Sequence, residues 1–195
     1  MKRRTILLLA GCWLLVFYTL SYRESPTTIL VSSNSFEDSN AEIDLNVPDI
    51  VISHLSPYHE GIPATGVNMI APEGYTMMVN FEGFKRDRDT SITAQEDYTK
   101  SFKTKKKEVD DFLATLVRYP YMNAALLYKK DFKFNSYDAM MLCVADKTSK
   151  KIAVYMAYGD DRFNVALNGM YKDHDTNTRQ QIVEAFLTSY YKEKG

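Results

Sequence analysis

The run Tyr137–Ala145 constrains this chain more than any other stretch of it. Its middle, Ala139-Met-Met-Leu-Cys-Val144, is apolar at every consecutive position. Successive side chains of a β-strand point to opposite faces, so such a run needs apolar cover on both sides. A strand with one wet face would alternate instead. Turn-forming sequences flank it, Asn135-Ser136 before and Asp146-Lys-Thr-Ser149 after. The pattern predicts a central strand covered on both faces.

The segments around it supply that cover. Across Asp97–Val117 the residues Tyr98, Phe102, Val109, Phe112, Leu113, Leu116 and Val117 recur at three-to-four-residue spacing, the stripe of an amphipathic helix. Asp97 is its expected N-cap and Pro120 its stop. Ala124–Phe134, Ile152–Tyr158 and Phe163–Tyr171 read as further strands of a meander, joined by short polar turns. A second helix is expected over Thr178–Lys192, with Thr178 and Gln181 as a capping box. Ile182, Val183, Phe186, Leu187 and Tyr190 would form its buried face. Upstream, Val67–Ile70, Tyr75–Val79, Phe81–Lys85 and Ser91–Thr93 are short extended pieces. Strands, helix, meander, helix is the order of an α/β fold, here an α/β/α sandwich around a mostly antiparallel sheet spanning 67–195. Residues 24–66 read as a polar tether followed by a proline-containing lead-in or edge strand.

The head of the chain has a different character. Lys2, Arg3 and Arg4 precede eighteen uncharged residues, Thr5–Tyr22, which as a helix would cover about 27 Å. That suffices for a thin bilayer, and the basic cluster would hold the N-terminus inside and send the rest outward. Residues 1–23 are therefore read as an N-terminal membrane segment, a signal anchor. Two alternatives stay open. Leu9-Ala10-Gly11-Cys12 spells a lipobox, which would make Cys12 a lipid-attachment site, although the apolar run continues past the cysteine. A cleaved signal peptide is the other. Each places the folded part on the extracytoplasmic face of a membrane.

Charge narrows the partners. Four of the 24 basic residues lie in the first 23 positions, where no acid occurs, leaving 20 basic against 25 acidic residues for the remainder. An acidic domain without a basic stripe is poorly suited to a phosphate backbone, so no nucleic-acid partner is expected. Cys12 and Cys143 lie in such different settings that no disulfide is expected between them.

A set of residues carries a family resemblance: Ala71-Pro-Glu-Gly-Tyr75, Phe81-Glu-Gly-Phe84, Ser91-Ile92, Lys151-Ile-Ala-Val-Tyr155, Gly169 and the last amphipathic helix. From Val67 to Tyr190 the chain resembles the PsbP-like families, namely the photosystem II extrinsic protein P, its bacterial relatives of unknown function and the DcrB-type lipoproteins. The lysine block of the first helix and the Asn135-Ser136 hairpin depart from that pattern. No family site transfers residue by residue. The resemblance implies a non-catalytic binding or assembly module on the outer side of a membrane, acting through contact with a protein partner.

The remaining chemistry is sparse. The sequence has no Gly-x-Ser-x-Gly, His-Glu-x-x-His, glycine-rich phosphate loop or Cys-x-x-Cys, so neither an enzyme nor a cofactor is expected. Cys143, in an apolar strand, reads as a buried structural thiol. His59, Asp160, Asp161, Asp173 and His174 would be the ligands of a metal or small-ligand site. The plainer reading makes them loop and helix-capping groups. Lys100, Lys103 and Lys107 share a helix face and would form a docking patch for an anionic partner, against the plainer reading of a solvated face.

Overall fold

The computed structural model describes residues 55–80, 82–119, 123–172 and 175–192. Five strands come first: β1 (Leu55–Gly61), β2 (Val67–Pro72), β3 (Thr76–Met77), β4 (Gly83–Lys85) and β5 (Ser91–Asp97). Helix α1 (Phe102–Arg118) follows, then the meander β6 (Ala124–Phe134), β7 (Tyr137–Asp146), β8 (Lys151–Gly159) and β9 (Asn164–Lys172). Helix α2 (Thr176–Leu187) and β10 (Tyr190–Tyr191) complete the described chain. A seven-stranded sheet runs in the order β3-β4-β5-β9-β8-β7-β6, and a three-stranded sheet in the order β1-β2-β10. Their strand pairings are antiparallel.

The large sheet is covered on both sides, as the apolar run in β7 requires. On one face Met141 and Cys143 of β7, Val154 and Met156 of β8 and Leu167 of β9 are buried. They join a core with Ile182, Val183 and Phe186 of α2 and Val67 and Met69 of β2. On the other face Met140, Leu142 and Val144 pair in register with Ala157, Tyr155 and Ala153, and α1 brings Phe102, Val109, Leu113 and Leu116 to that side. The molecule is thus a mixed α/β fold with antiparallel sheets. One covering layer is helix α1; the other is a composite of α2 and the small sheet. Strand β7 is interior but stands next to the edge strand β6, and the middle position belongs to β9.

Several local expectations shift. Helix α1 starts at Phe102, because Ser101 accepts from the Thr104 N–H as its N-cap. Asp97 instead accepts from the backbone and hydroxyl of Thr99, a local turn that competes with helix initiation. Tyr98 therefore lies off the helix, and Val117 is 82% exposed beyond the buried stripe. The N-cap of α2 is Asp175, three residues before the expected one. Asp175 accepts from the Thr178 N–H at 3.1 Å and also from its hydroxyl. Arg86 reinforces that cap, donating to Thr178 Oγ1 at 2.8 Å and to Asp175 at 3.2 Å. The helix stops at Leu187, so Tyr190 belongs to β10 and is half-exposed.

Two close approaches fix the layers. A Cβ on Gly169 would come within 2.3 Å of the Ile182 side chain, so the missing side chain lets α2 lie directly on β9. Residue Gly66 receives the N–H of Lys192 at 2.9 Å, which binds the segment after β10 to the start of β2. Leu55–Gly61, read with the lead-in, is an edge strand of the small sheet, and Ile62 after it is fully buried. The folded part extends upstream of Val67 to Leu55.

Among the described residues no helix is long and apolar enough to cross a membrane. The membrane segment expected at 1–23, Cys12 included, lies outside them.

Candidate functional site

The hairpins of the meander alternate ends of the sheet. The β6–β7 and β8–β9 turns lie at one end with the start of α1, and the β7–β8 turn lies at the other. At the first end an open groove of about 440 Å³ is walled by Lys103 and Lys106 of α1, Asp131 and Lys133 of β6, Asp138 of β7, and the turn residues Asp160 and Asp161.

Most of its charges are already committed. Lys106 pairs with Asp131, and Lys133 pairs with Asp138 at 2.6 Å. Asp160 accepts from the Arg162 N–H at 2.7 Å and from its guanidinium at 3.2 Å. The Arg162 N–H, foremost, holds the Asp160 carboxyl below the usual carboxylate range, outweighing slight burial. The Asp160 carbonyl accepts from the Phe102 N–H at 2.8 Å, tying this turn to the first residue of α1. Lys103 and Asp161 are the two groove charges with no ion pair or hydrogen bond among the described residues.

The other candidate residues do not gather here. His59 lies exposed on β1 in the small sheet, where its Nε2 donates to the Thr188 carbonyl at 3.3 Å. Its ring stands 5.4 Å from that of Tyr190. Asp173 and His174 lie outside the described residues. Among the described residues no three His, Cys, Asp or Glu side chains converge as a metal centre would need. The Cys143 thiol is buried at 1% exposure, without the exposed electropositive setting of a reactive thiolate.

The lysine patch is largely neutralised by its own surroundings. Lys100 pairs with Glu108 at 2.7 Å, and Lys107 pairs with Asp111 at 2.7 Å across one helical turn. That pair raises the Lys107 pKa. Lys103 alone of the three faces the groove. Sequence reasoning counted positive charges along the helix. The acids that neutralise Lys100 and Lys107 lie on the same helix and were open to the same count; only Asp131 of β6, the partner of Lys106, lies beyond it.

A second feature was not anticipated. Val117, Tyr119 and Leu126 are exposed at the opposite end of the sheet. Helical periodicity places Val117 on the buried stripe, which the covering layer does not reach.

The architecture has a counterpart among solved structures. The cyanobacterial PsbP of Synechocystis sp. PCC 6803 superposes with a TM-score of 0.50 at 8% identity, over 69% of this chain and 92% of that one. The chain has a PsbP-like fold. A protein of unknown function from Pseudomonas aeruginosa matches at a TM-score of 0.42 and 9% identity, over 72% of this chain and 99% of its own. A Bacteroides thetaiotaomicron protein matches at 0.38 and 10%, over 66% of this chain and 46% of its own. No family model and no curated protein matches the sequence. At such identities the PsbP-like fold is a statement about architecture, and the side chains of this chain must carry any reading of its site.

Proposed function

We propose that this chain is a non-catalytic binding or assembly module, held on the outer side of a membrane by its N-terminal segment and acting through protein contacts. The observation that carries the reading is the PsbP-like fold, joined to a head in which three basic residues precede eighteen uncharged ones. The candidate ionisable groups add weight, because His59 of β1 is bonded to the Thr188 carbonyl and Asp160 holds its own turn.

Fractionation tests it. The full chain is expected to sediment with membranes and to resist protease until the outer face is opened. Recovery of the intact chain in the cytosolic fraction would overturn the proposal. Cys12→Ser is expected to leave sedimentation and apparent mass unchanged, as an anchor requires; loss of lipid labelling and blocked processing would make the head a lipoprotein signal instead.

A second reading, an exported small-ligand or metal-binding domain, has the groove in its favour, where Lys103 and Asp161 stand with their charges unspent. Calorimetric titration with divalent cations decides it. Binding heat abolished by Asp161→Asn would establish that reading.

A further inference from the structure

The far end of the sheet brings exposed apolar side chains and cations together. Val117 at the last turn of α1 is 82% exposed, Tyr119 after it 37%, and Leu126 of β6 44%. Beside them stand three cations. Arg118 lies over the Tyr119 ring, 5.7 Å from its centroid. Lys147 and Lys150 belong to the β7–β8 turn, which is joined to the start of β6. Lys147 N donates to the Asn123 carbonyl at 2.8 Å, and Asn123 Nδ2 to Thr148 Oγ1 at 3.0 Å.

Apart from Lys103, the lysines of the groove at the opposite end are committed. Lys106, Lys129 and Lys133 each hold an aspartate, whereas Arg118, Lys147 and Lys150 have no acidic partner among the described residues. The acid of that hairpin, Asp146, is occupied by the Thr148 N–H and the Ser149 hydroxyl. Lys150 also holds a left-handed backbone, φ 53°, which glycine or asparagine adopts more readily. A lysine at that position adds positive charge to the tip at the expense of backbone ease.

We infer that this end of the domain docks on an anionic lipid surface, with Val117, Tyr119 and Leu126 entering the headgroup layer and Arg118, Lys147 and Lys150 contacting lipid phosphates. Tyrosine suits the boundary between water and acyl chains, and unpaired cations are drawn to anionic leaflets. A protein partner fits less well. Three side chains at an apex bury on the order of a few hundred Å², short of the roughly 800 Å² per partner of a stable protein interface. The inference rests on the proposed tether, which would keep the domain close to the membrane, and it adds an orientation for it.

The test uses the full chain in a Cys12→Ser background, where the remaining Cys143 is buried, with an environment-sensitive fluorophore on Val117→Cys. The chain is added to vesicles of phosphatidylcholine alone and of phosphatidylcholine with about one third phosphatidylglycerol. The emission is expected to shift blue only on the anionic vesicles and to revert at about 1 M salt. The same label on Asp161→Cys, at the other end of the sheet, should stay in water. Lys150→Gly separates docking from folding. It should lower the docked population by about fivefold, the share of one cation at such a surface, while the thermal midpoint holds or rises. A label at 117 that stays in water on anionic vesicles, although the chain sediments with them, overturns docking and leaves the tether standing. Sedimentation and shift on anionic vesicles only support docking and overturn the tether. No sedimentation with either vesicle overturns both. A shift of equal size on neutral vesicles, or one that appears only when membrane proteins are added, overturns the lipid assignment.

Discussion

Asp89 lies in the loop before β5 and receives Lys151 at 2.8 Å and Lys172 at 2.9 Å, so a single carboxylate ties the start of β8 to the end of β9. The hydrogen bonds from those two ammonium groups, Lys151 first, hold its pKa down at about 2, against about 3.9 for a free aspartate. A carboxylate whose pKa is lower folded than unfolded adds stability above the unfolded value and loses it as pH falls toward the folded one. The thermal midpoint should therefore drop between about pH 4 and pH 2, and Asp89→Asn should flatten that drop. An unchanged acid profile in the variant would remove Asp89 from the account. At this same scale Leu142, 3% exposed under α1, should cost about 2–5 kcal/mol as Leu142→Ala, through lost transfer energy and a residual cavity. Val117→Ser should change stability by less than about 0.5 kcal/mol in denaturant titration, because its side chain is already in water.

At the scale of elements, strong periodicity was legible and ends were not. The β6–β9 meander and the buried segments of both helices follow from alternation and from three-to-four-residue spacing. The helix starts moved because more than one residue could cap. Asp97 and Ser101 both precede α1 with suitable side chains, and only the Thr99 turn made by Asp97 decides between them. Strand β10 has two residues, too few to carry a period, so the sequence extended the helix through it. Packing between elements yields two more predictions. Gly169→Ala would drive a Cβ into Ile182 and should cost about 1–3 kcal/mol by overpacking, read as a lower midpoint in urea. The β6–β7 hairpin turns through Asn135 and Ser136, with φ of 48° and 71°, the left-handed pair of a type I′ turn. Ser136→Gly should gain about 1 kcal/mol by relieving that backbone. A loss on that substitution would show that Ser136 makes a contact outweighing its strain.

For the whole molecule, two covering layers were legible from the double-faced apolar run in β7, while the composition of one layer was not. The small sheet is built from segments at opposite ends of the described chain, and no local pattern announces that they pair. The candidate site was legible in part. Asp160, Asp161 and Lys103 do share a groove, yet His59 sits on a different sheet, and Lys106 takes its aspartate from β6, whereas Lys100 and Lys107 pair within their own segment. The exposed tip was hidden for a related reason, since a helical stripe does not say where its partner layer stops. The pairing of β10 with β2 also bears on how the domain comes into being. Thr188 Oγ1 accepts from Ile70 N across 118 positions of sequence, and Tyr190 lies opposite Asn68. Such long-range closure makes for high contact order and slow folding. A nascent chain cannot complete the small sheet until Tyr190–Tyr191 have been released, so β1 and β2 wait for their third strand until every strand of the large sheet has been made.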